Sequence, residues 1–503
     1  MKTNDTAKFI IEFIKRVRLE RKFEELGTIL EVGDGIVKVG GLPNAMLGET
    51  LEFPDNKFGL ALNLDKKEIG AVLLGETGHL EAGDVVRSTG KILQVPVGEE
   101  LLGRVVNPLG FYLDEKGPIR TSNFRPVESK APEIIDRMSV NQPLQTGILS
   151  IDSMIPIGRG QRELIIGDRD TGKSSIVLDT LINQREKNIY CIYVSIGQKA
   201  SSVAEIIKEL QDNLAMEKTI IVSSPASDPV SLQFLAPYAG CAMGEYFMYN
   251  GEDALIIYDD LSKHAVAYRE LSLLLGKPPG REAYPGDIFY IHSRLLERAA
   301  KLSEERGGGS LTAIPVVETQ EGDVTTFIPT NIISISDGQI YLNADLFYEG
   351  IRPAIDVGIS VSRVGGSAQI PAMKKVAGKL RLHLAQYREL EAFTQFGVEL
   401  NLTTKKRIEE GKRLVEILKQ KPLSLIPVED QVVILYVAVN GYLDDIDISE
   451  VKSFTKNLLV FMKENFNDIF REIREDGDLT FDLETKLNEA ITKFKSTNET
   501  ENI

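Results

Sequence analysis

The residues with the clearest chemical signature form one loop, Gly167-Asp168-Arg169-Asp170-Thr171-Gly172-Lys173-Ser174. They match the pattern G-x-x-x-x-G-K-[ST], in which a glycine-rich backbone holds phosphate groups. The apolar segment Arg162–Ile166 precedes the loop, and the helical pattern of Ser174–Asn183 follows it. A strand, a glycine-rich loop and a helix in this order are the setting that the motif requires. We therefore predict that these eight residues bind a nucleotide.

Each loop position has a physical reason to favour phosphate. Gly167 and Gly172 let the backbone turn and approach the phosphate oxygens, and the N–H groups of the loop and the helix start point at them. Lys173 is expected to reach the β and γ phosphates, and the Ser174 hydroxyl to ligate Mg²⁺. The expected ligand is ATP or ADP with Mg²⁺.

A second acidic element is the segment ALIIYDD, residues 254–260. An apolar strand that ends in carboxylates is the usual source of the acid that holds Mg²⁺ in such sites. Asp259 is the predicted magnesium residue. Asp260 is the second candidate, with capping of the next helix as its alternative role.

Composition excludes several classes of protein. The net charge of -16 argues against nucleic-acid binding, because a phosphate backbone would be repelled. Cys191 and Cys241 lie in apolar stretches and are predicted to be buried, free thiols. The four histidines are scattered along the sequence, which argues against a zinc site.

The N-terminal residues 1–24 carry apolar side chains at helical spacing and a basic second half. They predict an amphipathic helical arm, which either packs on its own chain or docks on a partner or membrane surface. The apolar run is too short for a signal peptide. With no stretch near the roughly 18 apolar residues of a membrane span, any membrane role is expected to come through partners.

Three further regions follow the arm. Residues 25–92 contain short alternating runs broken by glycine turns, which predict a β-barrel. Residues 93–372 alternate apolar strands with helices, which predicts an α/β domain with a parallel sheet covered on both faces. Residues 373–503 carry helical periodicity, with a polar tail from Lys493 that is expected to fray.

The central strands are expected at Arg162–Ile166, Asn188–Ile196, Thr219–Ser223, Ala254–Tyr258, Ser310–Pro315 and Ile332–Ile335. Helices are expected at Ser174–Asn183, Ala204–Leu210, Lys374–Glu391, Lys405–Lys419, Val428–Asn440 and Ser449–Asn465.

Longer motifs resemble those of one family, the alpha subunits of F-type ATP synthases. The similar segments are PLQTGILSIDSMIPIGRGQRELIIGDRDTGKSSIVLDTLINQ, DDLSKHAVAYRELSLLL, GKPPGREAYPGDIFYIHSRLLERAAKL, ETQEGDVTTFIPTNIISISDGQIYL and IRPAIDVGISVSRVGGSAQ. The resemblance covers about residues 26–445. It implies an N-terminal β-barrel, a central nucleotide-binding α/β domain of the RecA-like P-loop NTPase type and a C-terminal α-helical domain, in that order.

The resemblance also implies an assembly. Three alpha and three beta subunits alternate in a ring around a rotating gamma subunit, and the N-terminal arm meets the delta subunit of the peripheral stalk. ATP synthesis or hydrolysis is coupled to rotation and ion transport. The expected location is the cytoplasmic face of a bacterial plasma membrane, as a peripheral subunit.

Family positions give roles to further residues. Gln198 in YVSIGQKASS stands where beta subunits carry the glutamate that polarises water, and an amide cannot act as a general base. The resemblance therefore implies nucleotide binding without turnover. Arg363 in GISVSRVGG is implied to act in the neighbouring beta site as an arginine finger, and Ser360 to shape its loop. Phe347, Arg352 and Gln420 are implied to lie near the adenine.

Three departures from the family pattern affect the nucleotide site. Asp170 replaces the usual glutamine, and a carboxylate beside a polyphosphate is expected to weaken binding or make it more dependent on Mg²⁺. Ser174 replaces threonine but keeps the hydroxyl. Pro422 replaces a second adenine-contacting glutamine.

Two other functions remain open at this point. A self-sufficient hexameric NTPase would need a carboxylate near Gln198. A structural ring subunit of a related rotary or motility motor would differ from the synthase subunit only in its termini.

Overall fold

The computed structural model describes residues 25–75, 78–394 and 402–501. The predicted arm, residues 1–24, lies outside this part. The chain divides into two compact units, Met1–Leu93 and Gln94–Ile503, which are described separately.

The first unit is a closed barrel of six antiparallel strands in the order β1-β2-β5-β4-β3-β6. Alternate side chains point inward, so Val37, Val39, Leu51 and Phe53 fill its interior. The predicted barrel is confirmed. Its strands are β1 Leu26–Gly33, β2 Ile36–Gly40, β3 Glu49–Phe53, β4 Lys57–Leu64, β5 Ile69–Leu73 and β6 Val85–Ile92.

The second unit is built on an eight-stranded sheet in the order β18-β17-β12-β16-β15-β13-β14-β8. Every neighbouring pair is parallel except β17 and β18. Among its described residues, the strands of this unit are β7 Gln94–Pro96, β8 Val105–Val106, β9 Phe124–Pro126, β10 Pro143–Leu144, β11 Ile157–Gly158, β12 Leu164–Asp168, β13 Ile189–Ile196, β14 Thr219–Ser224, β15 Asp253–Asp259, β16 Ser310–Thr319, β17 Gly338–Leu342 and β18 Val361–Ser362.

The central strands read as near-continuous apolar runs because both faces of the sheet are covered. Ile192, Val194, Leu255 and Ile256 are fully buried. The covering helices are Leu149–Met154, Lys173–Ile182, Ala200–Asp212, Val230–Tyr249, Leu261–Leu274, Ile288–Leu296, Phe327–Ile335 and Ala344–Tyr348. The predicted α/β fold of this region is confirmed.

One predicted strand is wrong. Ile332–Ile335 belongs to the helix Phe327–Ile335, and the strand of this region comes next, at Gly338–Leu342. The buried residues of this helix are Ile328, Pro329, Ile332 and Ile335, and the three isoleucines have the i, i+4, i+7 spacing of a helix face. A short run of isoleucines fits either period, and only the spacing of the polar residues between them separates the two.

The C-terminal region is helical, as predicted. Its helices are Pro371–Ala377, Leu380–Thr394, Leu402–Leu418, Val428–Val439, Val451–Asn465, Asn467–Asp476 and Phe481–Glu501. They share one apolar core with the sheet, which runs from Ile165 and Ile340 to Leu435 and Phe470.

The expectation of a frayed tail is wrong up to Glu501. The helix Phe481–Glu501 continues through Lys493. Leu487 and Ile491, which precede the tail, and Phe494 within it are buried in the common core. These contacts hold the helix on the core at the point where the polar tail begins.

Parallel strands give this sheet two chemically distinct edges. At the carboxyl edge, β12 runs into the loop Gly167–Ser174. At the amino edge, Gly338 begins β17 and pairs with Ser362 of the antiparallel β18. Arg363 follows Ser362 directly, so it lies at the opposite edge from the phosphate loop.

Candidate functional site

The phosphate loop holds its lysine in a ready position. Gly172 has a left-handed φ of 98° and precedes the helix Lys173–Ile182. Lys173 is buried, and its Nζ donates to the carbonyl oxygens of Gly167 at 2.8 Å and Asp168 at 2.5 Å. Burial lowers the pKa of Lys173, while nearby carboxylates oppose that shift. The ammonium is therefore centred in the loop, where phosphate oxygens can replace the carbonyl oxygens as partners.

The remaining loop side chains have different surroundings. Thr171 Oγ1 donates to the Asp168 carbonyl at 2.7 Å, and Asp168 Oδ1 accepts from Thr319 Oγ1 at 2.6 Å and from the Gly322 N–H at 2.9 Å. Asp168 thus ties the loop to the end of β16. The exposed side chains of the loop are Arg169, Asp170 and Ser174.

Asp259 ends β15 as a buried carboxylate with both oxygens engaged. Tyr193 donates its hydroxyl to Oδ2 at 2.7 Å, and Gln198 Nε2 donates to Oδ1 at 3.0 Å. Lys263 Nζ donates to Gln198 Oε1 at 2.7 Å. Burial raises the pKa of Asp259, and these partners oppose the rise. Gln198 is thereby fixed between an acid and a lysine.

Asp260 has the capping role. Its Oδ1 accepts from the Lys263 N–H at 2.7 Å at the start of the helix Leu261–Leu274. Burial, followed by the charge of Asp259, raises its pKa to about 7. This fits the alternative given for Asp260.

Ser174 and Asp259 suit Mg²⁺ better than an ion that must be surrounded by protein ligands. Among the described residues, no group of three or more His, Cys, Asp or Glu side chains could hold a metal. Mg²⁺ usually keeps several waters and takes only one or two protein groups besides phosphate oxygens. The exposed Ser174 hydroxyl and the Asp259 carboxylate meet that requirement.

A cleft of about 450 Å³ opens beside the loop. It is lined by Ile148, Thr171, Gly172, Ser175, Ile176, Asp179, Phe347, Arg352, Pro353, Ala354, Gln420 and Pro422. The Arg352 guanidinium stacks on the Phe347 ring, 4.2 Å from its centroid. Phe347, Arg352 and Gln420, far apart in sequence, are thus brought together next to the loop. A planar base would find an aromatic face and a cation there.

Gln420 itself is occupied by groups of the same protein. Its Oε1 accepts from the Leu149 N–H at 3.0 Å, and its Nε2 donates to the carbonyls of Gly147 at 2.8 Å and Ser424 at 2.7 Å. Both amide hydrogens are used, so Gln420 has no free donor for a base. Its packing surface remains available to the cleft.

At the amino edge, the Arg363 backbone N–H donates to the Asp337 carbonyl at 2.8 Å. Its side chain is exposed, and no carboxylate of the described ranges lies within ion-pair distance of it. Ser360 is fully buried; its Oγ accepts from the Tyr341 N–H at 2.9 Å, and its carbonyl from Arg381 Nη2 at 2.8 Å. Ser360 therefore fixes the loop that presents Arg363.

Comparison with known proteins identifies the family that shares this architecture. Three models of the ATP synthase alpha/beta family match in order: the beta-barrel domain at residues 22–90, the nucleotide-binding domain at 147–362 and the C-terminal domain at 369–494. The protein belongs to the ATP synthase alpha/beta family.

Similar proteins in this family include ATP synthase alpha subunits. ATP synthase subunit alpha of Clostridium botulinum (strain Alaska E43 / Type E3) is 59% identical over 495 residues, which is 98% of each of the two sequences. The same subunit of Caldanaerobacter subterraneus subsp. tengcongensis is 57% identical over 495 residues, again 98% of each. The resemblance inferred from the sequence is confirmed.

Several side chains of the nucleotide site were not predicted from the sequence. Tyr193 and Lys263 hold Asp259 and Gln198, and Asp179 accepts from the Leu423 N–H at 2.8 Å at the wall of the cleft. Burial raises the pKa of Asp179 to about 6. Lys263 follows Asp260 by three residues, a helix-start spacing that could have identified it. Tyr193 and Asp179 lie inside apolar or helical patterns that carry no separate signal.

The histidines are less scattered than their sequence positions suggest. His264 Nδ1 and His292 Nε2 lie 3.1 Å apart in the core. Burial lowers the pKa of His264 to about 4 and that of His292 well below its usual value. Both are thus neutral core residues. Cys191 and Cys241 are free and buried, as predicted.

Proposed function

We propose that this protein is the non-catalytic, nucleotide-binding alpha subunit in the catalytic head of an F-type ATP synthase. It holds ATP or ADP with Mg²⁺ on the loop Gly167–Ser174, with Ser174 and Asp259 in the magnesium shell. It supplies Arg363 as an arginine finger to the active site of a neighbouring beta subunit.

The observation that carries the proposal is the placement of the two loops at opposite edges of one sheet. The five residues of β12 separate the edges by about 13 Å from first to last Cα, at the usual rise of 3.3 Å per residue. The Arg363 side chain starts at the far edge and is exposed there. A guanidinium in that position is directed away from its own nucleotide and available to another subunit.

Gln198 supports the non-catalytic part of the proposal. Its amide donates to Asp259 and accepts from Lys263, so it has neither a carboxylate nor a free orientation for activating water. A self-sufficient NTPase needs such a base. Nucleotide on this loop is then a structural or regulatory ligand, with its base packed against Phe347, Arg352 and Gln420.

Family membership supports a proposal for the assembly. The protein alternates with beta subunits in a ring of three of each around gamma, and its N-terminal arm, residues 1–24, meets delta and the peripheral stalk. ATP synthesis or hydrolysis is then coupled to rotation and to ion transport. No nucleic-acid partner is proposed.

The proposed place is the cytoplasmic face of the bacterial plasma membrane, reached only through partner subunits. In the described ranges, no helix has the length and apolar character that crossing a membrane would take.

The test is hydrolysis of Mg-ATP by the purified protein, alone and with its beta partner. The protein alone should bind Mg-ATP and turn over negligibly, whereas the complex should hydrolyse it. Robust turnover by the protein alone would instead favour a self-sufficient NTPase. A control variant with Lys173→Ala should lose the binding signal, which ties that signal to the loop.

A further inference from the structure

Glu163 is a buried carboxyl group at the amino edge, one residue before β12. Its side chain has no exposed surface. Gln161 Nε2 donates to Oε2 at 2.7 Å, but Oε1 has no hydrogen-bond partner in the part of the protein that the structure describes. A buried acceptor without a partner is uncommon in folded proteins. It therefore needs a physical explanation.

The carboxyl group lies against the loop that carries Arg363. A Cβ added to Gly338 would collide with Glu163 Oε2 and with the Val361 carbonyl oxygen, so glycine at this position lets the strands close over the acid. Gln161 Nε2 also contacts Ser362 Oγ at 3.1 Å. The same amide thus touches Glu163 and the residue before Arg363.

The charges around Glu163 leave one cation available to it. Asp337 is the nearby anion and Arg363 the nearby cation. Arg162 is already committed, to Asp337 at 2.7 Å and to Glu297 at 2.5 Å. The Arg363 guanidinium has no such commitment among the described residues.

We propose that Glu163 is a positioning residue for Arg363, the buried acceptor onto which the guanidinium folds back when it is not engaged in a neighbouring active site. This inference rests on the proposed role of Arg363 in turnover by the complex.

Two arrangements follow from the geometry. When Glu163 is protonated it is neutral, and Arg363 stays extended. When Glu163 loses its proton to solvent, a buried carboxylate without a cation is costly, and Arg363 is the group that can pair with it. Burial raises the pKa of Glu163 well above its usual value, Asp337 adds to the rise, and Gln161 and Arg363 oppose it. The extended arrangement is thus favoured at pH values below the pKa of Glu163, and the retracted one at pH values above it.

The first experiment is the pH profile of ATP hydrolysis by the assembled complex. Wild-type turnover should fall on the alkaline side, approaching about tenfold for each pH unit above the pKa of Glu163. Glu163→Gln keeps the shape and the acceptor for Gln161, cannot ionise, and should remove this alkaline limb. The matched control, Glu297→Gln, neutralises a half-exposed carboxylate in the same network and should leave the limb in place. An unchanged limb in Glu163→Gln would overturn the proposal.

The second experiment needs neither the complex nor a variant. The purified protein is treated with a glyoxal reagent at neutral and alkaline pH, and modification of Arg363 is measured by mass spectrometry relative to the exposed Arg120. The Arg363-to-Arg120 ratio should fall several-fold as the pH rises. A constant ratio would overturn the retracted arrangement even if Arg363 proves essential for turnover. The opposite outcome is also distinguishable. If the ratio falls but the complex that carries Arg363→Lys remains active, the arginine-finger role is refuted while the retracted arrangement stands.

Discussion

The two edges of the central sheet differ in how their polar groups are satisfied. At the carboxyl edge, Lys173, Asp259 and Gln198 all have hydrogen-bond partners within the protein. At the amino edge, Arg363 is exposed, and Glu163 keeps one oxygen without a partner among the described residues. An edge whose polar groups already have hydrogen-bond partners within the protein is suited to binding a ligand stably. An edge with unsatisfied groups suits a contact that a second subunit completes.

The largest expected effect comes from Arg363→Lys in the complex. Lysine keeps the positive charge but loses the planar fork that matches phosphoryl oxygens. Turnover should fall by about 10³–10⁵-fold, the range seen for arginine fingers. Nucleotide binding to the loop Gly167–Ser174 should stay unchanged, because that loop lies at the other edge. The measurement is steady-state hydrolysis together with equilibrium binding to the isolated protein.

A matched control for that variant lies on the carboxyl edge. Arg169→Lys changes an exposed arginine of the non-catalytic phosphate loop in the same conservative way. It should leave turnover of the complex within a few-fold of wild type. If Arg169→Lys and Arg363→Lys proved equally damaging, the distinction between the two edges would be lost.

The next largest effect is expected to be a loss of folding stability at acid pH, caused by a buried histidine. The pKa of His264 is lowered from 6.5 to about 4 by burial. The unfolded protein therefore binds more protons than the folded protein below pH ~6.5, and folding stability falls as the pH drops from there toward ~4. A shift of this size corresponds to about 3 kcal/mol when the pH has passed both values.

Denaturant unfolding at several pH values measures this effect. Asp260 and Asp179 have raised pKa values and titrate in the opposite sense, so the readout is the difference between wild type and His264→Gln. The variant should lose less stability on acidification than wild type. Parallel curves would mean that His264 is not neutral in the folded protein.

The carboxyl and amino edges of the sheet also differ in how well their residues could be predicted from the sequence. The phosphate loop, Asp259 and the order of the domains could be found because each depends on a local pattern or a long motif. The strand predicted at Ile332–Ile335 is wrong because a short isoleucine run fits both a strand and a helix, and burial against the sheet decided between them. The role of Glu163 could not be predicted from RELIIGD, because Gly338 and the strand that pairs with it are brought against Glu163 only by strand pairing.

Gln420 shows the same limit on the carboxyl edge. A family position near the base could be assigned to it, but not the three hydrogen bonds that occupy its amide. Those bonds come from backbone groups at Gly147, Leu149 and Ser424, brought together by packing of the helical domain on the sheet. These hydrogen bonds cannot be predicted from the local sequence.

A third, smaller effect is expected for Gln198→Glu. The new carboxylate would stand where an amide now donates to Asp259 Oδ1 at 3.0 Å. Asp259 would lose a donor and gain a like charge, which should cost about 1–3 kcal/mol of unfolding free energy at neutral pH. Part of that loss should return on acidification, when the pair shares a proton. Lys263 should hold the glutamate, so no turnover is expected from the protein alone.

Unfolding and hydrolysis assays check both parts. Gln211→Glu, an exposed helix position, is the matched control and should change stability by no more than about 0.5 kcal/mol. Turnover in Gln198→Glu would show that one missing carboxylate is all that separates this site from a catalytic one, and would weaken the contrast between the edges.

The smallest effect is expected at Asp170, the exposed acidic residue of the loop, whose charge opposes a polyphosphate. Its side chain is 93% exposed and lies 4.0 Å from Arg169, so water and that guanidinium screen it. Its φ of 61° is left-handed, a conformation that asparagine tolerates better than glutamine. Asp170→Asn therefore isolates the charge, whereas Asp170→Gln adds backbone strain.

Asp170→Asn should tighten Mg-ATP binding about two- to fivefold at low salt, since one removed charge acts through solvent. The advantage should disappear near ~1 M salt, where the screening length is only about 3 Å. Asp170→Gln should gain less than Asp170→Asn despite the same change in charge. Equal affinity for wild type and Asp170→Asn at low salt would mean that the carboxylate does not sense the phosphates. A gain that survives high salt would point instead to a change in loop conformation, and the carboxyl edge would then be less rigid than its hydrogen bonds indicate.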